Sequence, residues 1–232
     1  ATLEEGRYAG TKTEGLYEYG DTVDFLNTDV VEGDGITRMD ITSIEDTMKL
    51  VSAEKPDVII NCAAATNVDG CEKEIDFAYR VNAIGPRNLA IAAAETGAKL
   101  IHVSTDYVFP GNNPKPLTEF DEPGPISAYG KTKYEGERFV RQFGRNYFIL
   151  RTAWLYGDGK NFVKTMLKLS ETHEELSVVG DQYGSPTSAS ELAKMIHFLE
   201  PTENYGLFHA TCEGDTNWAD FTEEIMRLAG KK

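Results

Sequence analysis

The sequence predicts an α/β protein: an open, mainly parallel sheet covered by helices, with a small C-terminal lobe. Three observations carry that expectation. Short apolar runs (Val58-Ile59-Ile60-Asn61-Cys62, Leu100-Ile101-His102-Val103 and Tyr147-Phe148-Ile149-Leu150) alternate with longer helical patterns. The runs are apolar throughout instead of alternating, as strands covered on both faces are. The last third loses this rhythm and reads as short, irregular pieces.

The elements follow in order. Thr42-Ser43-Ile44-Glu45 resembles a capping box that opens a helix running to about Glu54, and Lys55-Pro56-Asp57 breaks it. After the first apolar run comes an alanine and threonine segment, then a polar stretch from Val68 to Glu74. A helix is predicted from about Ile75 to Glu95, interrupted near Gly85-Pro86 and stopped by Gly97. The second run leads into Ser104-Thr105-Asp106-Tyr107. Five prolines and two glycines between Phe109 and Ser127 mark a long surface excursion. A helix is predicted over Ala128 to Phe143, closed by Gly144, and the third run follows. The final third offers a helix over Phe162 to Leu169, a short strand at Leu176 to Val179, and a second capping box at Ser188-Ala189-Ser190-Glu191 with a helix to about Leu199. A strand at Leu207 to Ala210 and a last helix capped by Asn217 complete it. Residues 1–152 are expected to bind a ligand on the main sheet. Residues 153–232 are expected to form mainly the lobe, with segments returning to that sheet.

Composition limits the function. The chain has 232 residues, with 23 Lys and Arg against 38 Asp and Glu, a formal charge of −15. Such a field repels nucleic acid and anionic lipid, so neither is an expected partner. No apolar run approaches a bilayer span. Ala1 to Gly6 show neither a basic start nor an apolar stretch, so no secretory signal is expected. Cys62, Cys71 and Cys212 form no CxxC pair, and with four scattered histidines they suggest no metal site. A reducing, cytoplasmic setting is expected. Cys62 reads as core.

The chemistry gathers at the end of the second run. Tyr129 and Lys133 lie four apart on a predicted helix and share one face. An ammonium beside a phenol favours phenolate and sharpens proton transfer. Thr105 ends a predicted parallel strand, where open α/β sheets place ligands, and its hydroxyl suits a carbonyl oxygen beside Tyr129. The three together fit hydride transfer to a ketone. Asp106 and Tyr107 either touch a sugar hydroxyl or fix the turn. Asn82 either braces backbone near the sheet or caps a helical piece. Trp154 either packs on a ligand or joins the core. Arg151 either meets a phosphate or, by default in so acidic a chain, a carboxylate. His102 and His209 sit on apolar runs and are not expected to be catalytic.

The motifs resemble extended short-chain dehydrogenase/reductases, most closely the dTDP-4-dehydrorhamnose reductases. The matching stretches are Asp40-Ile41-Thr42, Asn61-Cys62-Ala63-Ala64, Val81-Asn82-Ala83-Ile84-Gly85-Pro86, Ser104-Thr105-Asp106-Tyr107-Val108-Phe109, Tyr129-Gly130-Lys131-Thr132-Lys133 with Gly136-Glu137, Arg151-Thr152-Ala153-Trp154-Leu155-Tyr156-Gly157, and Asp181-Gln182-Tyr183-Gly184-Ser185-Pro186-Thr187. The resemblance covers about Asp29 to Gly230. It implies a Rossmann-like dinucleotide-binding half, catalytic Thr105, Tyr129 and Lys133, and cofactor contacts from Asp40, Ile41, Ala63, Ala64, Thr66, Asn82, Tyr129 and Lys133. It makes Thr105, Asp106 and Trp154 substrate neighbours. The implied reaction is reduction of dTDP-4-dehydro-L-rhamnose to dTDP-L-rhamnose by NADPH or NADH, serving cell-surface polysaccharide synthesis, by a homodimer sometimes associated with Mg2+.

Two features depart from that family. It opens with an apolar strand and a Gly-rich turn, whereas residues 1–28 here show Gly6, Gly10, Gly15 and Gly20 at other spacings, with Glu4, Glu5 and Glu14 that would oppose phosphate. The family also continues tens of residues past Leu228, so an atypical N-terminus and a shortened C-terminus are expected. Two other readings stay open: a non-catalytic nucleotide-binding regulatory subunit of the same fold, and a reductase or epimerase acting on another nucleotide sugar.

Overall fold

The computed structural model describes residues 24–112 and 115–231. The glycines and glutamates of the N-terminal expectation, Gly6, Gly10, Gly15, Gly20, Glu4, Glu5 and Glu14, lie outside the described residues.

Among the described residues the centre is a four-stranded parallel sheet in the order β3-β4-β5-β9, formed by β3 (Val58–Asn61), β4 (Lys99–Thr105), β5 (Tyr147–Thr152) and β9 (Gly206–His209). The register sets Thr105 beside Thr152 and Arg151 beside His209. The polar ends of β4, β5 and β9 therefore lie along one lip. Alternate residues feed two cores. Leu100 and Ile149 pack with Leu89, Ala90, Ala93 and Val140 on one face. Ile101, Phe148 and Leu150 pack with Leu192, Ile196 and Leu199 on the other. This double burial is why the runs carry no alternation. The expectation of an α/β parallel sheet with a C-terminal lobe holds.

Ahead of this sheet, β1 (Asn27–Asp29) and β2 (Ile36–Arg38) form a parallel pair of their own. Helix α1 (Ile44–Glu54) begins one residue later than the capping box suggested: Ser43, not Thr42, accepts the Asp46 N–H. The Thr42 hydroxyl is already donated to Asp40. Lys55 ends the helix in the left-handed region, φ 47°.

The polar stretch after β3 is a short helix, α2 (Val68–Lys73), capped by the Asn67 side chain. The predicted long helix is three pieces in series: α3 (Ile75–Tyr79), a π-helical segment (Arg80–Ile84) and α4 (Gly85–Thr96). Pro86 supplies the cause. It has no N–H to give the Asn82 carbonyl, so the regular ladder cannot pass this point and the turn widens. That carbonyl instead faces Gly136 of α5 (Ala128–Phe143), where even a methyl group would collide with it. Gly97 stops α4 with φ 83°.

The lobe holds α6 (Phe162–Leu169), α7 (Ala189–Leu199) and α8 (Trp218–Leu228), with the two-residue strands β6 (Leu155–Tyr156), β7 (Tyr183–Gly184), β8 (Thr187–Ser188) and β10 (Thr216–Asn217). Side-chain caps from Asn161, Ser188 and Asn217 start its helices. Leu176 to Val179 is not a strand. β9 leaves the lobe to join the main sheet. Among the described residues no helix is long and apolar enough to cross a membrane.

Candidate active site

Helix α5 positions the central pair. Ser127 caps it by accepting the Gly130 N–H at 3.0 Å, and Glu72 of α2 accepts the Ala128 N–H at 2.6 Å. Gly130 lies so close to the Tyr107 carbonyl that a Cβ there would overlap it. The first turn of α5 is thus pressed against the segment that follows Thr105.

Tyr129 is half-buried and meets Tyr107 edge-on, with ring centroids 5.4 Å apart. Burial pushes its phenol up to about 12, Thr105 acts in the opposite sense, and Asp106, Cys71 and Tyr107 add to the rise. Thr105 is buried at the end of β4. Its hydroxyl donates to Asp106 Oδ1 at 3.0 Å and accepts the Tyr107 N–H at 3.2 Å. Burial also raises the Asp106 carboxyl. Asp106 and Tyr107 therefore do fix the turn, with Asp106 aligning the Thr105 hydroxyl.

Lys133 is 3% exposed, and its Nζ donates to the Val103 carbonyl at 2.7 Å. Burial lowers its ammonium to about 8, against the opposing pull of Glu137 and Cys62. The expected electrostatic help from Lys133 to the phenol is not what sets Tyr129: the charge is spent on Val103 and on Glu137, and the phenol stands high. Burial first, then the Lys133 charge, holds His102 neutral. His102 is enclosed and accepts from Asn61 Nδ2 at 3.0 Å, a core role.

The segment after β3 runs along the same lip. Asn61 Oδ1 accepts the Ala63 N–H at 3.1 Å. Asn82 is fully buried, and its Oδ1 accepts the Ala65 N–H at 2.8 Å. Its Nδ2 donates to the Ala65 carbonyl and to Thr132 Oγ1, both at 3.1 Å. Asn82 is therefore a brace: both amide hydrogens and the side-chain oxygen bond to protein groups. Cys62, Ala63 and Thr66 are exposed and Ala64 is half-buried, so Cys62 is a lip residue and not core. Asp40 Oδ1 accepts from the Thr42 N–H and hydroxyl, at 2.9 and 2.7 Å. The Ile41 carbonyl accepts from Asn88 at 2.9 Å, and its side chain lies against Gly85.

Trp154 sits two residues past β5 with φ 46°, stacked on Trp218 at 3.4 Å and 8°. Phe162 and Phe221 extend that aromatic cluster in the lobe. One face of the indole is thus taken by packing. Arg151 takes the carboxylate, not a phosphate: its Nε and Nη2 donate to Glu137 at 2.9 and 2.7 Å, with both side chains buried. Ser104 donates to the same Glu137 at 2.6 Å. The sequence reading assigned no role to Glu137 or Ser104. The available signal was position: Glu137 lies four residues beyond Lys133, so it continues the Tyr129–Lys133 stripe. Among the described residues no cluster of three His, Cys, Asp or Glu could hold a metal.

Residues 20–232 match the family model described as the RmlD substrate binding domain. The chain is 41% identical over 198 residues to a dTDP-4-dehydrorhamnose reductase of Escherichia coli K12, covering 83% of this chain and 66% of that protein. It is 44% identical over 179 residues to a spore coat polysaccharide biosynthesis protein of Bacillus subtilis, covering 76% of this chain and 62% of that one. It therefore spans slightly less than two thirds of these curated relatives. Among solved structures, a dTDP-4-dehydrorhamnose reductase from Clostridium acetobutylicum aligns with a TM-score of 0.83 and 54% identity, covering 84% of this chain and 71% of that one. The Bacillus anthracis enzyme of the same name, in complex with NADP, aligns at 0.82 and 47%, covering 85% and 72%.

Proposed function

Since this chain belongs to the RmlD substrate binding domain family, we propose that it reduces the 4-keto group of dTDP-4-dehydro-L-rhamnose to give dTDP-L-rhamnose, using NADPH or NADH. The observation that carries the reading is the convergence of Thr105, Tyr129 and Lys133 between the end of β4 and the first turns of α5.

A reduced nicotinamide, when bound, supplies the hydride. The chain supplies the rest. Tyr129 gives its phenolic proton to the oxygen that the hydride leaves negative. A phenol held near 12 carries that proton throughout the neutral range. Thr105 holds the carbonyl oxygen next to that phenol by turning to it the hydroxyl proton that, without substrate, is donated to Asp106. Lys133 provides a fixed positive charge and a donor for a ribose hydroxyl. Asp106 and Trp154 border the sugar.

The described residues fit the outer part of such a cofactor. Asn61 and Asn82 lock the backbone from Ala63 to Ala65, which leaves small side chains and the Thr66 hydroxyl facing outward. Asp40 and Ile41 would flank the adenine side. In this reading residues 1–152 form the dinucleotide-binding half, and residues 153–232 mainly serve the substrate. The protein works as a homodimer in the cytoplasm, where sugar nucleotide and reduced nicotinamide are available.

The test is to mix the protein with NADPH and dTDP-4-dehydrorhamnose and follow nicotinamide absorbance. The expected result is oxidation that Tyr129→Phe removes. Absence of oxidation by the unaltered chain, or full activity of Tyr129→Phe, overturns the reading.

A further inference from the structure

The stripe that carries Tyr129 and Lys133 continues one turn further to Glu137, a carboxylate with 0% side-chain exposure. A buried carboxylate costs several kcal/mol in desolvation unless it is well partnered, so its surroundings say what it is for. Oε1 accepts from Ser104 at 2.6 Å and from Arg151 Nε at 2.9 Å. Oε2 accepts from Arg151 Nη2 at 2.7 Å and lies 3.7 Å from Arg141 Nη2. One side chain on α5 thus grips β4 and β5, each at the residue immediately before the strand's last, Thr105 and Thr152. Lys133 grips Val103, the residue before Ser104. Two successive turns of α5 are fastened to two successive residues of β4.

The electrostatics run the same way. Lys133 is enclosed, and burial works against its charge. The groups acting on it from neighbouring elements are Cys62 at the end of β3 and His102 on β4, which is held neutral. Arg151 on β5 and Arg141 on α5 are the cations that face Glu137. Asp106 and Cys71, from the turn after β4 and from α2, act on Tyr129 instead. Glu137 is the foremost group favouring the charged form of Lys133.

We propose that Glu137 is a positioning residue for the Tyr129–Lys133 pair: its carboxylate, gripped by Arg151 and Ser104 one helical turn beyond Lys133, registers α5 against the strand end that carries Thr105. The inference rests on the reductase reading for its functional meaning, but its physical content can be measured without turnover.

The experiment follows the Lys133 ammonium by NMR in the full chain labelled with 13C at lysine Cε, with the resonance identified by its loss in Lys133→Met. In Glu137→Gln its titration midpoint should fall, because a carboxylate one helical turn away is lost and the buried Arg151 cation it held remains. Glu137→Asp, which keeps the charge, should restore most of the difference. If the reduction is confirmed, the alkaline limb of kcat/KM should move down with the same midpoint, with kcat falling more than KM rises. Should Glu137→Gln not fold, Glu137→Met/Arg151→Met removes the buried ion pair as a unit, and Arg151→Met alone supplies the reference against which the Lys133 midpoint of the double variant should fall. A Lys133 midpoint in Glu137→Gln equal to that of the unaltered chain, or in the double variant equal to that of Arg151→Met, overturns the proposal. Absence of turnover by the unaltered chain bears on the reductase reading and leaves this measurement standing.

Discussion

Replacing Lys133 by Met should make the protein more stable at neutral pH, and by an amount that depends on pH. The ammonium is 3% exposed and is lowered to about 8 from an ordinary 10.5. Between those values the unfolded chain holds the proton and the folded chain does not, so the unaltered protein gains stability as pH rises through that window. The penalty for burying the charge is fully present below it. Integrating both titrations gives a change of about 2–3 kcal/mol between about pH 7 and about pH 10. Met fills the same channel without a charge, and removes this dependence. The lost hydrogen bond to the Val103 carbonyl offsets part of the gain equally at both values. Urea unfolding of both proteins at the two pH values isolates the effect when Cys62, the thiol coupled to Lys133, is replaced by Ala in both. The stability difference should shrink towards alkaline pH by about 2–3 kcal/mol. A difference that stays level to within about 0.5 kcal/mol would refute the assignment of Lys133 as a buried cation.

Three further outcomes follow from single contacts. Tyr129→Phe should slow the chemical step by about 100-fold or more while NADPH affinity, read by fluorescence titration, changes little. Asn82→Ala removes both partners of the Ala65 backbone and one of Thr132, and should cost about 2–3 kcal/mol in urea unfolding. It should also weaken nicotinamide binding, because the loop after β3 loses its brace. Gly136→Ala places a methyl group against the Asn82 carbonyl; the cost of about 3 kcal/mol should lower the thermal midpoint by about 6–12 °C in calorimetry.

The sequence was most legible where one physical cause acted alone. Helices 128–143, 162–169 and 189–199 follow directly from their caps and apolar stripes. The parallel strands and their double burial follow from the unbroken apolar runs, whereas the strand order does not. The reading failed where tertiary contacts decided. Cys62 ends an apolar run, yet the chain turns out of the sheet there and exposes it. Leu176 to Val179 has strand-like composition but no ladder partner in the described structure. The break at Gly85-Pro86 was visible, but its form, a π turn that offers the Asn82 carbonyl to Gly136, needed knowledge of α5. For the site, local spacing pairs Tyr129 with Lys133, and only the β4–α5 packing reveals that Lys133 answers to Val103 and Glu137 instead of the phenol.

The fourth strand of the central sheet comes from the far end of the chain. β9 supplies the ladder along Phe148 to Arg151, after more than fifty residues spent in the lobe. Severing the chain after residue 152 would therefore not yield two independent modules. The first fragment would present β5 as a bare hydrogen-bonding edge with Phe148 and Leu150 uncovered, an invitation to aggregate. The second would carry a strand with nothing to pair with. Evolutionary or engineered swapping of the lobe must carry β9 with it, and so must preserve the spacing that brings His209 back beside Arg151.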